Sequence, residues 1–238
     1  MLLAIFSDIH ANLEALEAAV RYTQHLKVGG YAVLGDTVGY GANPNECFEW
    51  AMENAAIYVA GNHEKALLDY GLRQNFTQWA YEAIVWTEKV ISPEFKKAAA
   101  GLPYMRMEKQ STFVHGSPDA PEEFRYLMKF SDASSSFRKM ETPLCFVGHT
   151  HVPGCFCEGA RSATYLRPGI LQLEPLERYI LNPGSIGQPR DPDKRLSFGL
   201  YEDAQNTFEI VRLLYDAAKA AVKIRKAGLP SFLADRLL

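Results

Sequence analysis

The chain reads Leu144-Cys145-Phe146-Val147 and then Gly148-His149-Thr150-His151, an apolar run that leads directly into two histidines. Residues i and i+2 of an extended chain point to the same side, so both imidazoles can turn toward one point beyond the end of a strand. A single His-x-His pair is a weak signal by itself. Whether the pair indicates a functional site depends on which side chains follow the other predicted strands.

Three earlier apolar runs also end in polar loops. Between them, Asn12 is typical of a helix N-cap, with Gly29-Gly30 as the end of that helix, and Asn43-Pro44 predicts a helix through Glu53. The alternation of strand, loop and helix indicates an α/β fold with function at the carboxyl ends of the strands. The runs and the polar residues that follow them are residues 2–6 before Asp8 and His10, residues 31–34 before Asp36, and residues 57–60 before Asn62 and His63.

The second half of the chain has a different pattern. Residues 77–91 predict a helix, and residues 103–107 and 111–115 predict two strands, the latter ending at His115. The remainder predicts a series of short strands, over residues 154–157, 163–166, 178–181, 196–201 and 207–213. A final helix is predicted over residues 216–227. We therefore expect one domain, residues 1–238, with two packed sheets and helices outside.

Bulk composition excludes several classes of function. The chain has 238 residues, 47% hydrophobic and 22% charged, and a net charge of −3, which gives no reason to expect nucleic acid or a membrane surface as partner. No run is long enough to cross a bilayer, and the amino terminus predicts a strand rather than a signal peptide. Four cysteines without scaffold spacing favour reduced thiols and a cytoplasmic location.

Five of the six histidines follow apolar runs, and two aspartates and an asparagine stand beside them. Imidazole together with carboxylate suits divalent transition metals, and a carboxylate between two cations can bridge them. Eight nitrogen or oxygen donors exceed the needs of one tetrahedral site, which favours a binuclear centre. The donors are Asp8, His10, Asp36, Asn62, His63, His115, His149 and His151, and only His25 lies outside this pattern.

The blocks resemble a known family in order and spacing. They are Asp8-x-His10, Gly35-Asp36, Gly61-Asn62-His63-Glu64, His115-Gly116 and Gly148-His149-x-His151. This order resembles the calcineurin-like metallophosphoesterase superfamily. With Asn182-Pro183-Gly184-Ser185 and Gly187-Gln188-Pro189-Arg190-Asp191, the pattern is similar to the small bacterial and archaeal phosphoesterases related to diadenosine tetraphosphatases.

The resemblance implies a four-layer αββα sandwich, an α/β (α+β) fold of two mixed sheets flanked by helices. It also implies two divalent metal ions, Mn, Fe, Co, Ni or Zn. It implies a role for each donor: Asp8, His10 and His151 on the first metal, Asn62, His115 and His149 on the second, Asp36 bridging both, and His63 facing the substrate. His63 would be either the proton donor to the leaving oxygen or a phosphate contact.

Departures from the family pattern narrow the function. Protein serine/threonine phosphatases of the superfamily carry an aspartate and an arginine where this chain has Gly39 and Tyr40, and an arginine region where it has Lys65-Ala66. A protein phosphatase is therefore disfavoured. The aspartate that would orient His63 is missing as well, and Glu64 or a water is the expected substitute.

Other residues keep two interpretations. Arg190, with Arg195 and Lys65, is a candidate for contacting phosphate oxygens, although exposed arginines are usually solvated. Asn182-Pro183-Gly184 is either part of the site or a structural turn, and Cys155-x-Cys157 is favoured as two thiols on a strand rather than zinc ligands. Tyr40 and Phe76 either stack on a ring or pack at the rim. Residues 229–238 are either a contact in a homo-oligomer or a docked tail.

Three functional hypotheses follow. The first is a metal-dependent phosphohydrolase for a small phosphomonoester or phosphodiester, with nucleotides among the candidates, in which a metal-bridging hydroxide attacks phosphorus in line. The second is a binding scaffold on the same fold, which would have no need to keep every metal ligand. The third is a single structural zinc site.

Overall fold

Twelve strands form two mixed sheets of six strands each. The computed structural model describes residues 1–238. The first sheet contains, in spatial order, β3 (Ala55–Tyr58), β2 (Gly30–Val33), β1 (Leu2–Phe6), β11 (Leu196–Glu202), β12 (Thr207–Leu213) and β9 (Gly169–Gln172). The second contains β4 (Met105–Glu108), β5 (Ser111–Val114), β6 (Leu144–Phe146), β10 (Tyr179–Pro183), β7 (Pro153–Cys157) and β8 (Ser162–Tyr165).

Parallel pairing within each sheet places several loops at one edge. Strands β1, β2 and β3 run parallel to one another, as do β5, β6 and β10, whereas the remaining neighbours are antiparallel. Because parallel strands end on the same side, the loops that follow β1, β2 and β3 lie together, and so do those that follow β5 and β6.

Helices cover the outer faces of the sheets. They are α1 (Leu13–Leu26), α2 (Pro44–Asn54), α3 (Asn62–Ala66), α4 (Gln78–Val90), α5 (Pro93–Gly101), α6 (Phe130–Lys139), α7 (Ala217–Lys226) and α8 (Ser231–Asp235). Two 3-10 turns, Leu72–Asn75 and Pro121–Glu123, complete the elements. None of the helices combines the length and the apolar character that crossing a membrane requires.

The alternation of side chains along β1 explains the layers. Leu3 and Ile5 point into a buried cluster between the two sheets, which includes Phe146 of β6. Ala4 and Phe6 point the other way, into a second cluster that the helices cover. Burial of one large apolar side chain contributes about 1.5–3 kcal/mol, so both faces of this strand hold the layers together. The predicted four-layer αββα sandwich is confirmed.

Local signals explain most helix boundaries. The Asn12 side chain accepts a hydrogen bond from the Ala15 N–H at 3.2 Å, which caps α1 as predicted. The helix ends earlier than the glycines at positions 29 and 30 indicated, because Lys27 adopts a left-handed conformation with φ of 52°. Pro44 occupies the first turn of α2, in agreement with its fixed φ.

A strand and a helix are among the elements that were not predicted from the sequence. Strand β9 (Gly169–Gln172) lies between the predicted strands 163–166 and 178–181, where no strand was expected. Helix α8 lies in the apolar segment 229–238, where Leu229, Leu233 and Leu237 are buried against α7 and α4. This segment is therefore docked on its own chain, the second of the two interpretations.

Candidate metal centre

The strand-terminal loops bring the predicted donors to one edge of the molecule. Asp8 and His10 follow β1, and Asp36 follows β2. Asn62 and His63 open α3 directly after β3. From the second sheet, His115 follows β5, whereas His149 and His151 follow β6. All of these side chains except Asn62, which is half-buried, are buried in the structure.

Asp8, His10 and His151 form one group of candidate metal ligands. Their candidate ligand atoms lie within 4.8 Å of one another. The two Nε2 atoms of His10 and His151 are 3.1 Å apart, and His151 Nε2 is 3.2 Å from Asp8 Oδ1. Two ring nitrogens and a carboxylate oxygen thus converge on one point.

Asp36, His115 and His149 form the second group, within the same 4.8 Å limit. His115 Nε2 lies 3.0 Å from His149 Nδ1 and 3.2 Å from Asp36 Oδ2. The same Asp36 oxygen is 3.7 Å from His10 Nε2 of the first group. Asp36 therefore lies between the two groups, which is the place that a bridging carboxylate would occupy.

Backbone carbonyls orient three of the imidazoles. The Nδ1 atoms of His10, His115 and His151 lie 3.0, 2.8 and 2.6 Å from carbonyl oxygens. A carbonyl only accepts, so each Nδ1 carries a proton and each Nε2 faces the centre as the candidate ligand atom. This arrangement is usual for metal-binding histidines. The accepting carbonyls belong to Val38, Leu34 and Gln188 respectively.

Two buried oxygens at the site have no hydrogen-bond partner. They are Oδ1 of Asp8 and Oδ1 of Asn62. Buried polar atoms in proteins are nearly always paired, so unpaired acceptors at one location call for a positively charged ligand. A mixed set of imidazole nitrogens and carboxylate or amide oxygens fits a divalent transition metal. The residues present therefore fit the two cations that the sequence predicts.

The ionisation of the site is that of a cation-binding cluster. Burial alone would raise the pKa of Asp8, but the imidazoles of His151 and His115 hold it well below its usual range. Burial likewise opposes ionisation of Asp36, and His115 and His63 lower its pKa. Burial would lower the pKa of His115, yet the Asp36 carboxylate raises it to about 9. Two buried carboxylates thus stay ionised and require positive charge nearby.

The backbone at the site is unusual. Five proposed ligands adopt the left-handed region, with φ between 48° and 68°, and none of them is glycine: Asp8, His10, Asp36, His149 and His151. A non-glycine residue in this region costs about 1–3 kcal/mol, and such residues cluster at functional sites. The strained backbone conformation of these loops therefore directs the five side chains toward the centre.

Glu64 holds the loop of Asp36 against α3. Its buried carboxylate accepts hydrogen bonds from the N–H groups of Asp36, Thr37 and Gly61 at 2.8, 2.6 and 2.8 Å, and from Val38 at 3.3 Å. None of its bonds goes to the His63 ring, so the expectation that Glu64 orients that imidazole is wrong. Four backbone donors use its oxygens instead.

We expect Glu64→Gln to lower the free energy of unfolding by about 2 kcal/mol or more. The amide would replace a charged acceptor and point an N–H₂ group at backbone donors, and hydrogen bonds to a charged group contribute roughly 1.5–3 kcal/mol each. Urea unfolding followed by circular dichroism measures the change. Glu49→Gln, on the exposed face of α2, is the control. An unchanged midpoint for Glu64→Gln would contradict the role assigned here.

His63 lies in a tight aromatic environment. Its ring centroid is 4.7 Å from that of Tyr40 and 4.8 Å from that of Phe76. A Cβ at Gly39 would overlap His63 Nδ1, so this glycine makes room for the imidazole. Burial is the main reason that the pKa of His63 falls to about 4, although Asp36 opposes the change. His63 is therefore neutral near pH 7, and its Nδ1 has no hydrogen-bond partner.

A cleft of about 600 Å³ opens beside the centre, with Asn62, His63 and His149 in its floor. Arg190 lines this cleft, as do Tyr40 and Phe76. The other two cations proposed with Arg190 lie elsewhere. Lys65 Nζ donates to two backbone carbonyls at 3.0 and 2.6 Å, and Arg195 is paired with Asp193 at 2.7 Å.

Several supporting contacts escape a reading of the sequence. The Tyr126 ring stacks on His149 at 3.8 Å between centroids, and the Ser7 hydroxyl donates to Asp8 Oδ2 at 2.6 Å. A Cβ at Gly148 would overlap that Ser7 hydroxyl, which explains the glycine. Asn182 Nδ2 donates to the Gly148 carbonyl at 2.7 Å, so the turn that begins there is structural.

For Cys155, Cys157 and His25, the structure supports a structural interpretation and not a functional one. Cys155 and Cys157 lie on the same face of β7 as free thiols, and neither belongs to a group of three or more candidate metal ligands. His25 is exposed on α1 and its Nδ1 lies 2.6 Å from the Arg21 carbonyl of its own helix.

Comparison with known proteins agrees with this geometry. A family model described as the calcineurin-like phosphoesterase superfamily domain matches residues 1–206. An uncharacterised protein of Methanocaldococcus jannaschii is 38% identical over 240 residues, which cover 99% of this chain and 97% of that protein.

Two solved structures extend over the whole chain. A metallophosphoesterase from Sphaerobacter thermophilus shares 37% identity and a TM-score of 0.89, covering 100% of this chain and 98% of its own. A hypothetical protein from Pyrococcus horikoshii shares the fold, with 19% identity, a TM-score of 0.81 and coverage of 99% and 97%. The chain therefore belongs to the calcineurin-like phosphoesterase superfamily, and with it to the enzymes that hydrolyse phosphoric esters.

Proposed function

We propose that the protein is a phosphohydrolase that uses two divalent metal ions to cleave a small phosphoester, with nucleotides among the candidate substrates. The observation that carries the proposal is the convergence of two donor groups on either side of Asp36. Asp8, His10 and His151 would hold the first ion, Asn62, His115 and His149 the second, and Asp36 both. Mn, Fe, Co, Ni and Zn all suit this ligand set.

Two cations bound there would supply an acidified water for in-line attack on phosphorus and positive charge for the phosphoryl oxygens. The protein side chains have a separate task, which is to place the ester. Arg190 lies at the cleft wall, where its guanidinium can contact a phosphate oxygen. The Tyr40 hydroxyl lies 3.4 Å from Arg190 Nη2, and this contact holds the guanidinium in position.

His63 is proposed to contact the phosphate rather than to carry a proton to the leaving group. Of the two roles that the family resemblance implies, the contact is supported by the position of the ring at the cleft and by its Nδ1, which has no hydrogen-bond partner in the protein. Because no group in the protein binds His63 Nδ1, the ring can adopt either tautomer when it contacts the substrate.

Hydrolysis of p-nitrophenyl phosphate and bis(p-nitrophenyl) phosphate tests the proposal. We expect turnover with added Mn²⁺, loss of at least about 90% of the activity after EDTA treatment, and recovery when Mn²⁺ returns. Metal analysis of the active protein should approach two ions per chain. The geometry supports this expectation, because six of the seven proposed ligands belong to groups whose ligand atoms lie within 4.8 Å of one another.

Two outcomes would favour the rival hypotheses. Bound metal without turnover of either ester, under any of the five divalent ions, favours a scaffold. Metal near one ion per chain, with no loss of binding in Asp36→Asn, favours a single structural zinc site. We further propose a cytoplasmic location, where the four free cysteines would stay reduced.

A further inference from the structure

Three arginines line the cleft, and two of them, Arg190 and Arg236, are not paired with a carboxylate. Arg190 belongs to the segment after β10, and Arg236 follows α8 near the end of the chain. Both line the same cleft of about 600 Å³ as His63 and Asn62. The docked carboxyl-terminal segment, held by its buried leucines, therefore brings a second unpaired guanidinium to the proposed substrate site.

Neither of these arginines is paired with a carboxylate, although their neighbours are. Arg125 in the same cleft pairs with Glu123 at 2.6 Å, and Arg225 pairs with Asp235 at 2.6 Å. No ion pair involves Arg190 or Arg236 among all those of the chain. The Arg236 Nε atom is buried and has no hydrogen-bond partner at all.

The two guanidinium groups are half-buried and interact with each other. Burial, and then the positive charge of Arg190, lower the pKa of Arg236. Like charges in a partly desolvated place are unfavourable unless an anion compensates them. Guanidinium groups bind phosphate oxygens through two parallel hydrogen bonds, which makes a phosphate the natural compensating anion.

The positions of the two arginines differ along the cleft. The main-chain N–H of Arg190 donates to the His151 carbonyl at 3.3 Å, and Arg190 Nη2 lies 3.4 Å from the hydroxyl of Tyr40, whose ring contacts that of His63. Arg236 follows α8, and its guanidinium lies 5.9 Å from the ring of the exposed Phe232. Arg190 is thus next to the centre and Arg236 is one step further out.

We propose that Arg236, together with Arg190, forms a second anion subsite, and that the preferred substrates carry a second phosphate group beside the one that is hydrolysed. This inference rests on the proposed function, because the first phosphate is the one at the metal centre. Organic diphosphates and longer phosphate chains belong to this class, whereas simple monoesters occupy only the inner position.

The aromatic rim fixes the outer arginine. Phe232 lies 5.9 Å from the Arg236 guanidinium and stacks on Trp79 with ring centroids 4.2 Å apart. These contacts hold the guanidinium at the rim while its charge stays unpaired. Arg236 is a specificity-determining residue in this arrangement.

Two inhibitors of p-nitrophenyl ester hydrolysis test the subsite. Methylphosphonate carries one phosphorus group, and methylenediphosphonate carries two on a bridge that water does not cleave. We expect the diphosphonate to inhibit the wild type about tenfold more tightly than methylphosphonate. Arg236→Ala should raise the Ki of the diphosphonate about tenfold or more and that of methylphosphonate less than about threefold, since one charge-assisted contact is lost.

The control is Arg225→Ala, which removes the same charge from the same region but from an exposed pair with Asp235. All Ki values are measured at one free Mn²⁺ concentration, because the diphosphonate binds metal. Arg236→Gln repeats the test if Arg236→Ala shows a lowered melting temperature. Equal changes for both inhibitors, or no preference for the diphosphonate in the wild type, would overturn the subsite.

Calorimetric titration of both inhibitors into the Mn²⁺-loaded protein separates the two proposals. A wild type that hydrolyses no ester contradicts the proposed function. The same protein still supports the subsite if it binds the diphosphonate more tightly than methylphosphonate and loses that preference in Arg236→Ala. A wild type that hydrolyses esters but shows equal affinities contradicts the subsite alone.

Discussion

Asp36→Asn is expected to lower kcat/KM about a thousandfold and to reduce the metal content from about two ions per chain. Asp36 Oδ2 lies 3.2 Å from His115 Nε2 and 3.7 Å from His10 Nε2, so one oxygen serves both donor groups. Asparagine keeps the shape and removes the charge. Loss of one partner from a buried charged cluster costs about 3–5 kcal/mol, which corresponds to roughly a thousandfold.

Metal analysis and steady-state kinetics on the same preparation measure this effect. Asp69→Asn is the matched control, since its carboxyl is exposed and only accepts a hydrogen bond from the Gly71 N–H. Full metal content together with wild-type kinetics in Asp36→Asn would show that the carboxylate does not bridge two ions. Normal metal content with lost turnover would assign Asp36 to the chemistry alone.

His63→Ala is expected to lower kcat by about a hundredfold to a thousandfold while both metal ions stay bound. The ring borders the cleft, and a preorganised hydrogen-bond donor to developing charge typically contributes about 10²–10³-fold. The main-chain N–H of His63 still donates to Asp36 Oδ1 at 2.9 Å after the substitution, so the loop should keep its place.

His25→Ala, on the exposed end of α1, is the histidine control. His63 also forms a possible ligand group with His10 and Asp36, all within 4.8 Å. Loss of one metal ion in His63→Ala would therefore reassign His63 as a ligand. Equal kcat in His63→Ala and the wild type would remove it from the site.

The placement of the donors could be predicted because it is a local property of the chain. Each apolar run is followed within four residues by its polar side chains, and parallel strands must end at one edge. His10 and Asp36 lie 26 positions apart, yet both belong to loops that leave neighbouring strands in the same direction. The short-range sequence pattern and the geometry of parallel strands were therefore enough to predict where the donors lie.

The contacts that support the donors could not be predicted, because they join residues by tertiary packing. Glu64 meets the N–H groups of Asp36 and Thr37 only after two loops have approached each other. Arg236 reaches the cleft only because Leu233 and Leu237 dock α8, and no local pattern indicates where a short apolar tail will pack.

Strand β9 was not predicted for the same reason, since it too is defined by tertiary pairing and not by a local pattern. In β9, Ile170 is 71% exposed, so Gly169–Gln172 has no buried alternating face to indicate a strand. It joins the sheet at its edge through β12, and backbone pairing rather than side-chain burial defines it. The seven-residue strand β12 was predicted at its full length, because its alternate positions are buried.

The left-handed conformation of five proposed ligands has an evolutionary consequence. A chain of this fold that no longer needed cations would gain stability by placing glycine at positions 8, 10, 36, 149 and 151, since glycine adopts that conformation with less strain. Mutational drift in an inactive descendant should therefore favour glycine at these five positions.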